Sequence, residues 1–278
     1  MTPSSSAGSS SKNGSPLIGG HVDAADPVNQ AQAIGAEAIQ IFLGDGQSWK
    51  GPVVEFDQAL VPGAESPEAA LRQAIEDAGL QVYVHAPYVI NVASPNNRIR
   101  IPSRKLLQRH VDAAAEIGAA GVIVHGGHVT KDDDPDVGFV NWRKAFDQLD
   151  AKVPVLIENT AGGQHAMARR LEAIDKLWAA IDNPEAGFCF DTCHAWAGGI
   201  DMPDAADQLM AITGRIDLVH ANDSQGDFDS GRDRHANFGD GTIQTDALVE
   251  AIRRAGAPVI CETPSTGIAE DIALLKNS

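Results

Sequence analysis

Residues 187–194 place a carboxylate and an imidazole where a buried strand ends. The run reads Gly-Phe-Cys-Phe-Asp-Thr-Cys-His, and its apolar first half is typical of a strand with both faces covered. Asp191 follows that strand and His194 comes three residues later. A hard oxygen ligand beside a borderline nitrogen ligand suits a divalent transition metal. Alone, the pair is equally compatible with a helix-capping Asp and a surface His.

Residues of the same types follow most of the other predicted strands. If the sheet is a parallel barrel, all strand carboxyl ends meet at one face, and so do these side chains. That face then collects five imidazoles and four carboxylates: His85, His125, Glu158, Asp191, His194, His220, Asp233, His235 and Glu262. So many carboxylates repel one another unless cations lie among them, and nitrogen-rich mixed ligation indicates zinc, or manganese or iron. The set predicts two or three metal ions that share one bridging carboxylate.

Clustered divalent ions serve hydrolysis at phosphorus, because they activate a water molecule and neutralise the charge that develops on the phosphate. P-loop, GxSxG and activated-cysteine signatures are absent from the sequence, which agrees with a reaction that uses no protein nucleophile.

Eight short apolar runs alternate with eight amphipathic segments, which predicts an α/β chain folded as a single-domain (β/α)8 TIM barrel over residues 17–278. The predicted strands are 17–22, 38–43, 82–84, 122–124, 153–157, 188–190, 216–219 and 258–261. The predicted helices are 26–34, 67–78, 103–117, 139–149, 166–181, 205–213, 245–255 and 269–276. A doubly wound open sheet is the alternative fold, disfavoured because no GxGxxG turn follows the first strand. Residues 1–16 form a Ser- and Gly-rich stretch that we expect to be disordered.

The formal charge of −17 argues against a membrane partner and against nonspecific binding of nucleic acid. Cys189, Cys193 and Cys261 all fall in or beside predicted strands, which predicts reduced, buried thiols. No apolar run approaches the roughly 18 residues of a membrane span, and no signal peptide is recognisable. We therefore expect a cytoplasmic protein.

Several long motifs resemble the endonuclease IV family of zinc-dependent apurinic/apyrimidinic endonucleases, in the family's order between residues 18 and 262. They are His85-Ala-Pro-Tyr-Val-Ile-Asn91, Glu158-Asn-Thr-Ala-Gly162, Asp191-Thr-Cys-His-Ala195, His220-Ala-Asn-Asp223 and Asp233-Arg-His235.

The resemblance implies three zinc ions per chain, with manganese or iron possible at one site. The first ion is held by His85, His125 and Glu158; the second shares Glu158 and adds Asp191, His220 and Glu262; the third is held by His194, Asp233 and His235. It further implies a monomer that cuts damaged double-stranded DNA 5′ to an abasic site, leaving a 3′-hydroxyl, and that trims blocked 3′ ends. Glu158 and Glu262 are then catalytic, together with a zinc-bound hydroxide that attacks the phosphorus.

The same resemblance implies the DNA contacts. Tyr88 and Val89 match side chains that the family inserts into the minor groove. Gln47 and Trp49 lie in a loop that lacks the Arg found beside this Trp in other members. Arg232 and Arg234 are candidates for phosphate contacts or for holding Asp233. His21 and Asn222 are expected next to the metals without binding them.

Two alternatives remain open. A single-metal sugar isomerase or epimerase of the related barrel superfamily would use Glu158, Asp191, His220 and Glu262, and would leave the other five candidate ligands without a function. A noncatalytic barrel would bind no metal and would lose no stability in the presence of a chelator.

Overall fold

Eight parallel strands form a closed barrel in the computed structural model, which describes residues 15–202 and 204–278. Their bounds are β1 Ile18–His21, β2 Ala38–Phe42, β3 Gln81–His85, β4 Val122–His125, β5 Val155–Glu158, β6 Ala186–Asp191, β7 Leu218–Ala221 and β10 Val259–Cys261. They neighbour one another in the order β1-β10-β7-β6-β5-β4-β3-β2. The predicted (β/α)8 barrel is confirmed. Of the tail predicted for residues 1–16, only Ser15 and Pro16 fall within the described residues.

Helices surround the barrel. They are α1 Pro27–Ile34, α2 Pro67–Ala78, α3 Asn97–Glu116, α4 Pro135–Phe146, α5 Leu171–Ile181, α6 Thr192–Gly198, α7 Ala205–Thr213, α8 Thr245–Ala255 and α9 Ile268–Lys276. A 3₁₀ turn, Gln58–Leu60, interrupts the loop after β2. Two short antiparallel strands, β8 Asp223–Ser224 and β9 His235–Ala236, form a hairpin above the barrel. Among the described helices, none is long and apolar enough to span a membrane.

The barrel interior is built in layers that follow the period of two along each strand. One layer is apolar and buried: Ala38, Tyr83, Ile123, Leu156, Cys189, Leu218 and Ile260. Two positions further along each of these strands comes a polar residue: Gln40, His85, His125, Glu158, Asp191, His220 and Glu262. The strand pleat therefore directs polar side chains from seven of the eight strands into the barrel mouth, where they form a polar ring above an apolar floor.

Local signals for helix ends were mostly correct. Ser66 caps α2 by accepting a hydrogen bond from the backbone N–H of Ala69 at 3.1 Å. The glycines predicted to close five helices all adopt positive φ, as a left-handed exit requires: Gly35, Gly79, Gly118, Gly214 and Gly256.

Several predicted boundaries were wrong. Helix α3 begins at Asn97 instead of Ser103, because the side chain of Asn96 caps it at the N–H of Arg98 and Pro102 is tolerated inside it. Helix α4 begins at Pro135 instead of Phe139, because the side chain of Asp134 caps it at the N–H of Asp136. Helix α5 starts only at Leu171, and α6 was not predicted as a helix.

Candidate metal centre

Glu158 lies at the centre of the polar ring and is completely buried at the end of β5. Its Oε2 atom is 3.3 Å from Nε2 of His85 and 3.2 Å from Nε2 of His125. Its Oε1 atom is 3.2 Å from Nδ1 of His220 and 3.0 Å from Nδ1 of His194. The two oxygens thus face different sets of imidazoles, which is the arrangement of a carboxylate that bridges two cations.

Ligand atoms within 4.8 Å of one another define adjacent groups around Glu158. One comprises His85, His125 and Glu158; another comprises Glu158, Asp191, His220 and Glu262; a further group comprises Asp191, His194 and His235. Asp233 lies beside this last group. Its Oδ2 atom is 3.2 Å from Nε2 of His194, and its Oδ1 atom is 3.2 Å from Nε2 of His235. All nine candidate ligands therefore converge at the mouth. Asp191 joins the group of His194 and His235, which the sequence did not indicate.

Most of the imidazoles are held by one ring nitrogen and aim the other at a carboxylate. Nδ1 of His85 is 2.7 Å from the carbonyl oxygen of Ala86, and Nδ1 of His194 is 3.0 Å from that of Asn159. Nδ1 of His235 is 3.3 Å from the carbonyl oxygen of Glu262. Since a carbonyl only accepts, each of these nitrogens carries the proton and leaves Nε2 free as a ligand.

His220 is oriented by Gln40, a completely buried residue of β2. The Nε2 atom of Gln40 donates to Oε1 of Glu262 at 2.6 Å, so its carbonyl oxygen is the atom that lies 2.7 Å from Nε2 of His220. Nδ1 of His220 then faces carboxylate oxygens of Glu158, Glu262 and Asp191, at 3.2, 3.3 and 3.9 Å. A single proton at Nδ1 serves only one of these oxygens, whereas a dication reaches all of them.

A second observation also fits bound cations. Nε2 of His235 is buried and has no hydrogen-bond partner among the described residues, although Asp233 and Asp191 lie 3.2 and 3.8 Å away. Buried polar atoms are almost always paired, so an unpaired nitrogen between two carboxylates marks a place for a cation. The residues present therefore fit a metal cluster.

The charges of the site point the same way. Burial tends to raise the pKa of Glu158, but the imidazoles of His125 and His220 outweigh burial and hold that pKa well below its ordinary value. Burial also raises the pKa of Asp191, against the lowering effect of His194. Burial opposes protonation of His194, yet Asp191 and Asp233 raise its pKa well above the ordinary value. The carboxylates thus draw positive charge into a place that excludes water.

Cys193 lies beside Asp233 and His235 and is a further candidate ligand by position alone. Burial raises the pKa of the Cys193 thiol to about 12. A thiol that stays protonated at neutral pH is a poor nucleophile. All three cysteines are free and buried, as expected.

Neighbouring amides and a carboxylate hold the ligands in place. Asn222, predicted to lie next to the metals, donates to Oδ2 of Asp191 at 2.8 Å and accepts from the backbone N–H of Glu262 at 3.0 Å. The side chain of Asn159 exchanges two hydrogen bonds of 2.8 Å with the backbone of Asp191. Asp191 also caps α6, since its Oδ1 accepts from the N–H of His194 at 2.6 Å. One carboxylate is thus both a candidate metal ligand and a helix cap.

Asp223 fixes the hairpin loop that carries Asp233 and His235. Its buried carboxylate accepts from the backbone N–H of Ser224 at 2.7 Å, and from those of Gly239, Gly241 and Ile243 at 3.1, 3.0 and 3.0 Å. A Cβ atom at Gly241 would lie 2.3 Å from Oδ1 of Asp223, so only glycine allows this approach. The loop is therefore closed at its base by one ionised side chain.

His21 lies at the edge of the cluster. Its Nδ1 accepts from Nε2 of Gln40 at 3.1 Å, and its ring packs on Phe42 at a centroid distance of 5.0 Å. Burial lowers the pKa of His21 to about 4, so the ring is neutral at physiological pH. With Nδ1 occupied by Gln40, His21 belongs to no ligand group in the described chain.

A groove of about 670 Å³ opens above the cluster and is lined by His125, His194, Asp233, Trp49, Tyr88 and Val89, among others. Tyr88 and Trp49 are 49% and 47% exposed, which leaves both rings free to meet a ligand. Gln47, Arg232 and Arg234 are exposed but do not line this groove. Arg234 donates to the backbone carbonyl of Asp233 at 2.6 Å and does not pair with its carboxylate.

Sequence reasoning missed Gln40, Asn159 and Asp223 as functional residues. Gln40 had a usable signal, because it is the polar residue in an otherwise apolar strand and occupies the same inward position as the ligands on the neighbouring strands. Asn159 and Asp223 stand in the recognised motifs. Their roles depend mainly on contacts 16 to 32 residues away along the chain, which no local pattern records.

Comparison with known proteins agrees with this fold and site. Residues 28–278 match the family model described as xylose isomerase-like TIM barrel, a class in which the catalytic face lies at the strand carboxyl ends. The chain is 56% identical to a probable endonuclease 4 of Mycobacterium tuberculosis, over 94% of this chain and 98% of that protein. It is 54% identical to a probable endonuclease 4 of Mycobacterium leprae, with the same coverage.

Among solved structures, endonuclease IV from Thermus thermophilus superposes with a TM-score of 0.77 and 29% identity, covering 94% of this chain and 98% of the other. A D-tagatose 3-epimerase-like protein superposes with a TM-score of 0.73 at 19% identity, over 94% and 96% of the two chains, which shows the shared fold alone. The chain belongs to the endonuclease IV family.

Proposed function

We propose that this protein is an apurinic/apyrimidinic endonuclease that hydrolyses the DNA phosphodiester 5′ to an abasic site and leaves a 3′-hydroxyl. The single observation that carries the proposal is the convergence of nine metal-ligand side chains around the two-sided carboxylate of Glu158 at the floor of an open groove. Hydrolysis of a phosphodiester without a protein nucleophile is the chemistry that such a cluster serves.

In the proposal, three zinc ions would be held by His85, His125 and Glu158; by Glu158, Asp191, His220 and Glu262; and by His194, Asp233 and His235. When bound, the ions would activate water and neutralise the negative charge of the phosphate in the transition state. Manganese or iron at one position is compatible with the same mixture of nitrogen and oxygen ligands.

The protein's own residues orient the candidate metal ligands and exclude water from the site. Gln40 and the backbone carbonyls hold the imidazoles with their ligand nitrogens facing inward. Glu262 receives the amide hydrogen of Gln40 on Oε1, which leaves Oε2 facing His220 at 3.3 Å. The apolar layer below keeps water from reaching the cluster from inside the barrel. The reacting phosphate can therefore approach only from the groove.

Tyr88 and Val89 stand beside the groove, where we propose that they insert into the minor groove next to the lesion. An exposed aromatic and an aliphatic side chain can act as a wedge, and the cost of unstacking is smallest at a damaged nucleotide. Tyr88 packs its ring against Phe42 and His85, at centroid distances of 5.4 and 5.1 Å, so the wedge would rest on a rigid base. Trp49, Gln47, Arg232 and Arg234 are proposed as further DNA contacts.

Trimming of blocked 3′ ends is part of the proposal, since the same groove would admit a strand terminus. We further propose that residues 17–278 act as one catalytic domain, that the protein works as a monomer, and that it works in the cytoplasm, where its three free thiols stay reduced. The isomerase alternative rests on fold similarity and leaves His85, His125, His194, Asp233 and His235 unexplained.

The test uses a duplex with one abasic-site analogue, incubated with metal-loaded protein with and without a chelator. We expect one cut 5′ to the analogue, a 3′-hydroxyl on the product, and no cutting after chelation. Elemental analysis should return three ions per chain. An intact substrate in both lanes, with metal confirmed bound, would refute the nuclease proposal, and a single ion per chain would favour the isomerase.

A further inference from the structure

Residues 98–109 of α3 are strongly basic in a protein of formal charge −17. They include Arg98, Arg100, Arg104, Lys105 and Arg109, and across the described residues none of the five lies within ion-pair distance of a carboxylate. Arg72 on α2 and Arg253 and Arg254 on α8, by contrast, each pair with an acid on their own helix. The cations of α3 are therefore not used to stabilise neighbouring acidic residues.

Helix electrostatics do not explain these residues either. The amino end of a helix carries a partial positive charge, so Arg98 and Arg100, which lie in the first turn, are unfavourable there. Helix α3 has no acidic residue in its first turn, whereas α2, α4 and α5 each have one. An anion bound at this surface would offset the repulsion between these cations and the positive end of the helix.

Three of the five cations have no hydrogen-bond partner among the described residues: Arg98, Lys105 and Arg109. Arg100 is occupied by the carbonyl oxygens of Ser94 and Pro95, at 2.9 and 3.0 Å, and Arg104 by the side chain of Gln148. Positions 98, 105 and 109 are seven and four residues apart, so they share one face of the helix. We call Arg98, Lys105 and Arg109 the basic strip.

The basic strip lines a groove of about 600 Å³ together with Trp49, Ile101, Pro102 and Leu106. Trp49 also lines the groove above the candidate metal centre, where it stands with His125, His194 and Asp233. The exposed indole is thus shared by the two grooves. A strand that leaves the metal centre past Trp49 would run directly onto the basic strip.

We propose that the basic strip binds phosphates of the duplex on one side of the abasic site, with Trp49 at the junction between strip and metal centre. The inference rests on the proposed function and adds to it the side of the barrel on which the flanking DNA lies. Lysine and arginine contacts to phosphates give affinity that is independent of sequence and fix the register of a protein on the duplex. The acidic surface elsewhere would repel the duplex, so the strip would also orient it.

The experiment compares the triple variant Arg98→Gln/Lys105→Gln/Arg109→Gln with the control Arg143→Gln/Lys144→Gln/Lys176→Gln. The control removes the same charge from exposed residues of α4 and α5 that make no ion pair within the described chain. Binding of a labelled duplex with an abasic analogue is measured by fluorescence anisotropy over a range of salt concentrations, and cleavage is measured in parallel. Circular dichroism and metal content confirm that both variants fold.

For the triple variant we expect the slope of log affinity against log salt to fall by roughly 2 to 3, because each phosphate contact contributes about 0.9. Its KM should rise at least about ten-fold near physiological salt, while the single-turnover rate at saturating protein stays that of the wild type. The control variant should keep the wild-type slope and KM.

Equal slopes and equal affinities for the triple variant and the control would overturn the inference. So would unchanged duplex binding by the triple variant accompanied by lost binding of a single-stranded RNA or an acidic peptide, which would assign the strip to another partner. The anisotropy measurement tests whether the basic strip binds the duplex even if no DNA is cut. Failure of the wild type to cleave would instead count against the proposed function.

Discussion

The nine candidate ligands come from two regions that the chain builds in different ways. Most of them stand on or directly beside barrel strands, as His85, His125 and Glu158 do at the ends of β3, β4 and β5. Asp233 and His235 instead belong to the loop and hairpin above β7. The side chain of Glu158 is 1% exposed and that of Asp233 is 53% exposed. The barrel supplies the more buried part of the site, and the hairpin supplies a more solvent-exposed part.

The difference lies in what fixes each part. Strand residues are positioned by the hydrogen bonds of the closed sheet, so removing one ligand leaves the others in place. The hairpin ligands are positioned by two strands of two residues each and by the carboxylate of Asp223. We expect the strand part to determine whether the site exists, and the hairpin part to determine how many ions it holds.

The largest effect should come from Glu158→Ala. Because each of its oxygens faces a different imidazole set, its loss should remove more than one ion and abolish cutting of an abasic duplex. Elemental analysis and a cleavage assay measure both outcomes. Glu172→Ala, which changes an exposed acid on α5, is the control and should match the wild type. Loss of one ion or none from Glu158→Ala would contradict the bridging role.

The next effect should come from Asp233→Ala in the hairpin. This variant should lose one ion and keep the remainder, since the strand ligands do not depend on it. We expect its rate to fall by about 10²- to 10³-fold, the usual loss when one group that stabilises transition-state charge is removed. If Asp233→Ala emptied the whole site, the distinction between the two regions would be wrong.

Asp223→Ala tests the hairpin without touching a ligand. Four backbone N–H groups would lose a charged acceptor, so we expect a loss of roughly 3 kcal/mol in the free energy of unfolding. Metal content should fall by the same ion that Asp233→Ala loses. Asp240→Ala, an exposed acid in the same loop, is the matched control for denaturant unfolding. A stable Asp223→Ala protein with full metal content would show that the hairpin keeps its position without the Asp223 carboxylate.

The smallest effect should come from Gln40→Leu in the strand region. It removes the acceptor that fixes the ring of His220 and the donor to Glu262, while the ligands themselves remain. We expect metal affinity to weaken by about ten- to a hundred-fold, the usual range for a residue that orients a ligand. Competition with a chelator of known affinity measures the change. The His21 ring is hydrogen-bonded to Gln40 and, among the described residues, to no candidate ligand. His21→Leu should therefore weaken metal affinity less than Gln40→Leu.

The same contrast explains what the sequence could predict. Strand positions follow from apolar runs and a period of two, so the barrel and the polar residues at the ends of its strands were accessible to simple rules. The inward position of Gln40 could have been found by extending that period to every strand. Helix α6 could not, because the seven residues that follow the candidate ligand Asp191 show no helical pattern of their own. The hairpin depends on hydrogen bonds from Asp223 to residues 16 to 20 positions later, which only folding brings together.

The apolar layer beneath the polar ring has a consequence for traffic through the site. Leu156, Ile123 and their neighbours close the barrel from below. In the proposed function, ions, chelators and DNA would therefore all reach the site from the groove. A bound duplex would therefore block the groove and would protect the metal ions from removal by a chelator. Inactivation by a chelator should then proceed only during the intervals between one lesion and the next.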